Sequence, residues 1–239
     1  MSLDYKLKLL QVFNHIAIIP GMYYIEWKWL FVVLLCHLLF EGIGTSIGLH
    51  RYFTHKSFNT GIIRKYILAF FGTVSTLGSI KSWVYVHRYH HKTSDTNLDP
   101  HKPWNWFHYV KIQTPRLTLI RDLAKDEVIS RFDNNYFKII LAYVTILLII
   151  NPILVIYAYC FPAVLSFHSA SAVNNITHTR KLGKQIYDTE DNSVNNIFVA
   201  ILTNGEGYHN NHHNDPKEYR FGKYDLGGIL IDYIFKTRG

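Results

Sequence analysis

Apolar residues fall into long runs that alternate with polar segments along the chain. Residues 29–49 form a run of 21 residues with a single charged side chain, Glu41. Residues 139–179 form a run of 41 residues without any Lys, Arg, Asp or Glu. Since about 20 apolar residues are needed to cross a bilayer as a helix, the first run predicts one membrane span and the second predicts two. The chain is therefore predicted to be an integral membrane protein.

Two prolines divide the longer apolar run. A helical hairpin with its turn at Phe161-Pro162 gives spans near 139–160 and 162–179, with a kink at Asn151-Pro152. The alternative is a turn at Asn151-Pro152 itself, because proline cannot continue the hydrogen bonding of a helix interior. Either hairpin returns the chain to the side of the membrane that it left.

Two further apolar segments give weaker signals. Segment 9–24 is short and contains Pro20, which leaves a fourth span and a buried or interfacial helix as alternatives. Segment 62–80 contains Arg64 and Lys65, which favour a helix lying in the membrane interface. About four spans are therefore predicted.

The polar remainder of the chain, residues 81–138 and 180–239, is expected to form a helical cap outside the membrane. Lys and Arg are concentrated in these segments, and the positive-inside rule places such segments in the cytosol. The predicted fold is an all-α integral membrane protein with a single domain over residues 1–239. The membrane is expected to be the cytoplasmic membrane or the endoplasmic reticulum.

Histidines recur along this chain with a fixed spacing. Two triplets have the offsets i, i+3 and i+4; they are His87, His90 and His91, and His209, His212 and His213. On an α-helix these offsets fall at about 0°, 300° and 40°, so each triplet shares one helix face. Imidazole is the commonest neutral metal ligand in proteins. The pattern therefore predicts a metal centre.

A third pair of histidines, His50 and His55, lies at the end of the first apolar run. Five residues correspond to about 140° on an ideal α-helix, so these two side chains are expected to converge only if the helix ends between them. Because all clusters must reach one site, segment 62–80 is expected not to cross the membrane. Eight clustered histidines exceed the four ligands of a structural zinc site, which implies two metal ions.

Iron, copper and zinc all suit imidazole ligands, and the spacing alone does not distinguish between them. The two cysteines, Cys36 and Cys160, provide no CxxC motif, so the ligands must be nitrogen and oxygen. Glu206, close to the third cluster, is expected to orient an imidazole rather than to bind metal. His37 and Glu41 share a face of the first span and are expected to point toward protein rather than lipid.

The net charge of +8 favours anionic lipid or an acidic partner. No nucleic-acid-binding motif accompanies the charge, so nucleic acid is not expected as a partner.

Three boxes of this sequence resemble those of the membrane fatty acid desaturases of the delta-9 acyl-CoA and acyl-lipid type. Residues 50–55 match HRxxxH, residues 87–91 match HRxHH and residues 205–213 match GEGxHNxHH. Residues 94–101 are similar to the SDxxxDPH continuation of the second box. The boxes and their intervals extend over nearly the whole chain, which makes the resemblance specific.

This resemblance implies a di-iron centre held by nine histidines below a cytosolic cap. The ninth ligand is His178, because residues 173–178 are similar to the VNSxxH segment of the family, and Asn174 would hold a water on the second ion. Asp95 lies in the continuation of the second box. Like Glu206, it is expected to orient a metal-binding imidazole rather than to bind metal. The implied ligands are His50, His55, His87, His90, His91, His178, His209, His212 and His213. Two Fe²⁺ ions are the implied cofactor, with zinc as a replacement on overexpression.

The implied reaction is the O2-dependent introduction of a cis double bond, at the ninth carbon, into a fatty acyl chain. The acyl chain would lie in an apolar tunnel next to Trp83, with Leu34 and Leu38 at its floor. Acyl-CoA members often carry Arg-Asp at the positions of Tyr85 and Val86, so a lipid- or carrier-linked chain is an alternative to CoA. Electrons are expected from a separate acidic donor such as ferredoxin or cytochrome b5.

Two rival functions fit parts of the same pattern. A fatty acid or alkane hydroxylase shares histidine boxes and begins with the same hydrogen abstraction, but the third box favours a desaturase. A non-catalytic metal-binding or transport protein would require polar groups along its spans. Only His37 and Glu41 meet that requirement.

Overall fold

The computed structural model describes residues 3–102, 106–107 and 117–237. These residues form helices joined by turns and loops, and they contain no β-strand. The all-α prediction is confirmed for them. Part of the predicted cap segment 81–138, namely residues 103–105 and 108–116, lies outside the described residues.

Eleven helices follow one another in the described chain. They are α1 (Leu3–Tyr23), α2 (Trp27–Thr54), α3 (Ile62–Val74), α4 (Ile80–Thr93), α5 (Leu117–Ile120), α6 (Glu127–Asn134), α7 (Tyr136–Ile150), α8 (Val155–Ile176), α9 (Ile197–Leu202), α10 (His209–Asn214) and α11 (Leu226–Phe235). Short 3₁₀ turns lie at Arg121–Leu123 and Arg180–Leu182.

Two of these helices, α2 and α8, are long and apolar enough to cross a membrane. A third crossing is added if the bent pair of α6 and α7, which meet at 69°, forms one span. Helix α1 does not belong to this set, so the count of four spans remains a prediction. Helix α3 has 13 residues, which gives a length of about 20 Å.

The break in this apolar run lies at Asn151-Pro152, the alternative position, and not at Phe161-Pro162. Asn151 has an extended backbone, and its side-chain Oδ1 accepts a hydrogen bond from the Ile153 N–H at 3.1 Å. Such Asx turns end a helix. Pro162 instead lies inside α8, directly after the π-helical segment Val155–Cys160. Helix α8 therefore continues through Pro162.

The second part of α2, Leu38–Thr54, is wound as a π-helix. Its hydrogen bonds join residues five apart, and the His55 N–H donates to the His50 carbonyl at 3.2 Å. Close packing accompanies this segment: a Cβ on Gly44 would lie 2.5 Å from the Phe71 backbone of α3. Glycine at that position lets the two helix backbones approach each other.

Two hydrophobic cores pack against α2, one around its N-terminal part and one around its C-terminal part. One lies between α1, α2, α7 and α8 and includes Phe40, Tyr159 and Ala163. The other joins the end of α2 to α3, α4, α6 and α11 and includes Leu49, Val84 and Ile129. The two cores therefore hold α2, α4 and α8 in place, and these helices carry side chains that point toward the centre of the protein.

Candidate metal centre

All nine histidines predicted as ligands come together in the structure, and they form two groups. The first histidine group consists of His50, His55, His87, His91 and His212. The second histidine group consists of His90, His178, His209 and His213. Within each group the ligand atoms lie within 4.8 Å of one another. Two groups agree with the prediction of two ions.

Each histidine triplet contributes to both groups. On α4, His87 and His91 belong to the first group and His90 to the second. On α10 the division is reversed, because His212 belongs to the first group and the other two histidines to the second. Residues at i and i+4 are about 40° apart on a helix, whereas i+3 lies on the other side of residue i. The spacing alone therefore directs the three histidines of each triplet toward two neighbouring histidine groups.

His50 and His55 converge at the end of α2. The helix ends at Thr54, directly before His55, as expected from their spacing. Its last part is also wound as a π-helix, which brings residues five apart nearly into register, and the two ring centroids are 4.9 Å apart. The expected helix end is therefore accompanied by a change of helical winding.

The ε nitrogens within the groups have nearly constant separations. In the first group His50 and His212 are 3.0 Å apart, and His212 and His91 are 2.9 Å apart. The pairs formed by His87 with His91 and with His55 are each 3.1 Å apart. In the second group the corresponding nitrogens of His209 and His178 are 3.0 Å apart. Two nitrogens each about 2.1 Å from one ion lie about 3.0 Å apart at a right angle.

Two buried ring nitrogens of the second group provide a test of whether a metal fits. The Nε2 atoms of His90 and His213 have no hydrogen-bond partner in the described part of the chain. Buried polar atoms are nearly always paired, because an unpaired one is costly. Both nitrogens belong to a cluster of converging imidazoles, so a metal ion fits this donor set.

Carboxylates hold the opposite nitrogen of several ligands, as predicted for Glu206 and Asp95. His50 Nδ1 donates to Glu206 at 2.5 Å, and His178 Nδ1 donates to Asp95 at 3.0 Å. An imidazole that donates from Nδ1 presents its Nε2 lone pair to a metal. These carboxylates therefore select the tautomer that can bind an ion.

Two further carboxylates of this kind were missed by the interpretation of the sequence. His90 Nδ1 donates to Asp99 at 3.0 Å, and His213 Nδ1 donates to Asp191 at 2.5 Å. Asp99 lies in the continuation of the second box and could have been assigned from it. Asp191 lies in a polar loop next to Glu190, where spacing alone does not distinguish it.

Burial lowers the pKa of most histidines in the two groups and so favours their neutral form. Desolvation is the main cause that lowers their pKa, and neighbouring imidazoles add to it. The affected residues, whose pKa lies well below the ordinary value, are His55, His87, His91, His209 and His212. For His213, burial lowers the pKa to about 4 although Asp191 opposes the shift.

The metal-free protein is accordingly expected to lose stability as the pH falls. Between the ordinary histidine pKa of about 6.5 and the value of about 4 for His213, the unfolded chain binds more protons than the folded chain. Stability therefore falls with decreasing pH across this window. Thermal unfolding of the metal-free protein in detergent at pH 8, 7, 6 and 5 measures this effect. An unfolding temperature that is constant over this series would contradict it.

Arg51 ties the first box to the third box and to the C-terminal helix. Its side chain is fully buried, lies 3.2 Å from Glu206 and 3.0 Å from Asp225, and stacks on the Phe221 ring. Gly205 has a φ of +111°, and a Cβ there would lie 2.1 Å from Asp225. The Gly-Glu-Gly sequence thus lets the loop approach this ion pair closely enough for Glu206 to reach His50.

Replacing Asp225 with asparagine is expected to destabilise the fold by about 3 kcal/mol, because it leaves the buried Arg51 with one carboxylate partner instead of two. Asp225 also accepts hydrogen bonds from the N–H groups of Phe221 and Gly228. Chemical or thermal unfolding in detergent measures the change. Asp232→Asn, in the more exposed pair with Arg220, is the matched control and is expected to cost less than about 1 kcal/mol. Equal losses in the two variants would contradict this expectation.

A cavity of about 140 Å³ opens onto both histidine groups. Its walls are mostly apolar and include Trp83 and Phe167, while His50, His87 and His209 line the end near the candidate metal centre. The indole of Trp83 stacks on His87 at 4.9 Å between centroids. Trp83 therefore lines the cavity, which is the position predicted for it beside the acyl-chain tunnel.

Asn174 lies on the wall of the same cavity. Its Nδ2 is 3.3 Å from Nδ1 of His101, a tenth histidine whose ring is 4.9 Å from that of His90. Spacing alone did not single out His101. The predicted role of Asn174 in holding a water stays a prediction.

Leu34 and Leu38 are not found at the predicted tunnel floor. Neither residue is among the cavity-lining side chains of the described chain, and Leu34 is 56% exposed. The helix face that carries Leu34 points outward, whereas Glu41 and Thr45 of the same helix face the cavity. The expectation rested on distance along the helix and ignored the direction of the side chains.

These features define a class of protein: a helical protein with apolar helices long enough to cross a membrane, in which two groups of largely buried histidines that could hold metal ions face one apolar cavity. The sequence profile of the fatty acid desaturase family matches residues 27–221. The chain belongs to the fatty acid desaturase family, and it is an oxidoreductase of the acyl-lipid and acyl-CoA desaturase type.

About a third of the aligned residues are identical between this chain and its curated relatives. It is 35% identical to the sn-1 stearoyl-lipid 9-desaturase of Synechocystis sp. over 92% of this chain and 72% of that protein. It is 31% identical to the acyl-CoA 5-desaturase of Anemone leveillei, over 83% and 65% of the respective chains. It is also 32% identical to the hex-5-enoyl-[acyl-carrier protein] acetylenase of Moorena producens, over 79% and 68%.

Proposed function

We propose that this protein is an O2-dependent desaturase that introduces a cis double bond into a saturated fatty acyl chain. The observation that carries the proposal is the apolar cavity that opens onto both histidine groups in a chain of the desaturase family. Such a cavity positions a hydrocarbon chain against two metal ions and excludes water from the reacting carbons.

The cofactor that we propose is a pair of Fe²⁺ ions, one in each histidine group. Five histidines in the first group exceed the four ligands of a typical zinc site. This number of ligands favours iron over zinc, which can nevertheless replace iron on overexpression.

Bound iron supplies the O2 chemistry that converts a CH2–CH2 pair into CH=CH. The chain's own residues prepare the site for it. Glu206, Asp95, Asp99 and Asp191 hold the imidazoles in the metal-binding tautomer, and Trp83 packs on His87 beside the cavity. Asn174 is proposed to hold a water on the ion of the second group.

For the substrate we propose a lipid-linked acyl chain desaturated at the ninth carbon. The cyanobacterial relative is named for a stearoyl-lipid substrate and for that position. Tyr85 is buried in the core and Val86 lines the cavity, so neither position offers a charge to a CoA headgroup. CoA- or carrier-linked chains are the alternatives.

We further propose that the metal centre lies on the cytosolic side of the membrane and receives electrons from an external acidic donor such as ferredoxin or cytochrome b5. The net charge of +8 supports attraction of an acidic carrier. Within the expected cytosolic cap, residues 81–138 carry 10 Lys and Arg against 6 Asp and Glu, whereas residues 180–239 carry 8 of each, so half of the net charge of +8 lies in the first cap segment.

Gas chromatography–mass spectrometry of fatty acids from a desaturase-deficient host tests the proposal. One strain expresses this chain, and a second expresses a His90→Ala, His91→Ala variant. A new monounsaturated acid made only by the intact chain is expected, and its fragmentation gives the position of the double bond. A hydroxylated fatty acid would instead indicate that the protein is a hydroxylase. No new product, with iron and donor present, would overturn the proposal.

A further inference from the structure

His101 is a tenth histidine beside the two histidine groups, and it lines the cavity together with Asn174. Its ring centroid lies 4.9 Å from that of His90, and its Nδ1 lies 3.3 Å from Nδ2 of Asn174. An amide nitrogen can only donate a hydrogen bond, so Nδ1 of His101 is the acceptor and its proton is on Nε2. The ligands His50 and His178 have the opposite tautomer, because they donate from Nδ1. His101 is therefore not prepared to bind a metal through Nε2 as they are.

Asp99 fixes the position of His101. One oxygen of this buried carboxylate accepts the backbone N–H of His101 at 2.9 Å, and both oxygens lie 3.0 Å from Nδ1 of the ligand His90. The other oxygen accepts the backbone N–H of Asp95 at 2.9 Å. The turn that follows the second box is thus built around one carboxylate. His101 is thereby held at a fixed position relative to the second histidine group.

The hydrogen bond to His101 determines which end of the Asn174 amide can serve the metal centre. Asn174 lies four residues before the ligand His178, and among the described residues only its amide nitrogen makes a side-chain hydrogen bond. Because His101 engages the nitrogen, the oxygen is the end that is left to face a ligand in the cavity. A water that binds an ion through its oxygen offers only its hydrogens, so it requires an acceptor.

We propose that His101 is a positioning residue that turns the amide oxygen of Asn174 toward the second histidine group. That group has four imidazoles whereas the first has five, so the second ion is the one with a position for water. Without the acceptor on His101, the amide can rotate and present its NH2 group, which cannot accept a hydrogen bond from that water. This inference rests on the proposed desaturase function, including the proposed role of Asn174, and deepens it.

Two substitutions of similar size at position 101 test the inference. His101→Leu removes the acceptor, whereas His101→Asn restores it, because its amide oxygen lies as many bonds from the backbone as Nδ1 does. His101→Ala removes the acceptor with a smaller side chain, and Asn174→Leu and the double variant His101→Leu, Asn174→Leu complete the series. Each protein is purified with cobalt in place of iron, and its visible spectrum, cobalt content and thermal unfolding are measured. Alkene formation is measured in the desaturase-deficient host.

The cobalt spectrum of His101→Leu is expected to change in the same way as that of Asn174→Leu, because both variants hold the water on the second ion less firmly. His101→Asn is expected to recover the wild-type spectrum. Alkene formation is expected to fall about tenfold in His101→Leu, which is the effect of losing about one hydrogen bond. In the Asn174→Leu background, His101→Leu is expected to cause no further change in the spectrum or in alkene formation. All variants are expected to retain cobalt and cooperative unfolding.

A wild-type spectrum in both His101→Leu and His101→Ala would overturn the inference. Equal changes in His101→Leu and His101→Asn would also overturn it, because the acceptor would then not be the cause. A further change in the double variant, or loss of cobalt or of cooperative unfolding in His101→Leu and His101→Ala, would show that His101 does not act through Asn174. If the wild type makes no alkene, the proposed desaturase function fails instead, and the cobalt spectra still decide the role of His101.

Discussion

Replacing His91 with alanine is expected to reduce alkene formation by more than about 100-fold and to remove one of the two proposed iron ions. His91 Nε2 lies 3.1 Å from that of His87 and 2.9 Å from that of His212, so its loss opens one side of the first histidine group. The remaining imidazoles of this group are buried except for the partly buried His55, and their packing leaves little room to replace the lost ligand. Iron analysis of the purified protein and product analysis in cells measure the two effects.

The adjacent variant His90→Ala makes this experiment specific for each group. His90 and His91 are neighbours on α4 but belong to different histidine groups. His90→Ala is therefore expected to remove the ion of the second group and to leave that of the first. Loading the two variants with cobalt, whose visible spectrum reports its ligands, should give two different spectra. Identical spectra would show that the groups do not bind separate ions.

A histidine outside both groups provides the control for these variants. His15 lies on α1, and its Nδ1 is 2.7 Å from the Gln11 carbonyl. His15→Gln is expected to retain both ions and to keep the wild-type iron content. Loss of iron in this variant would indicate that general disruption of the protein, rather than loss of a ligand, explains the alanine variants.

Replacing Asp191 with asparagine is expected to weaken iron binding by about 10–100-fold although Asp191 itself is not a ligand. Asp191 Oδ2 accepts the Nδ1–H of His213, while Oδ1 accepts hydrogen bonds from the Ser193 N–H and the Thr189 hydroxyl. An asparagine that keeps Oδ1 in place turns its NH2 group toward His213. The imidazole then favours the tautomer with hydrogen on Nε2, which cannot bind a metal.

Iron retention during dialysis against a chelator measures this effect, and activity after iron is restored separates it from misfolding. Asp188, three residues away in the same loop, is exposed. Asp188→Asn is therefore the matched control, and it is expected to retain iron as the wild type does. Equal retention by the two variants would show that the Asp191–His213 hydrogen bond does not support the site.

The division of both triplets between the two groups has a consequence for the mechanism. Helices α4 and α10 each contribute histidines to the first and to the second group, so neither group can move without the other. Both helices are anchored by buried neighbours, and a catalytic pair requires such a fixed separation. We therefore expect that two short helices, rather than flexible loops, fix the distance between the two ions.

Much of the metal centre followed from the sequence alone, because the spacing of ligands along a helix is a local property. The offsets of His87, His90 and His91 place three imidazoles on one face whatever surrounds them. The run of residues 139–179 without charge likewise predicted membrane helices from composition. His178 and Asn174 came from resemblance to the family, since one histidine near an apolar run carries no signal of its own.

Features that depend on distant parts of the chain were decided only by the tertiary structure. The π-helical winding of α2, which aligns His50 with His55, accompanies close packing against α3, and α-helical geometry does not predict it. Asp191 reaches His213 across 22 positions of sequence, and Glu206 reaches His50 across more than a hundred. The sequence determined which residues could bind metal. Packing between helices decided which of them meet, because contacts between distant residues depend on the whole fold.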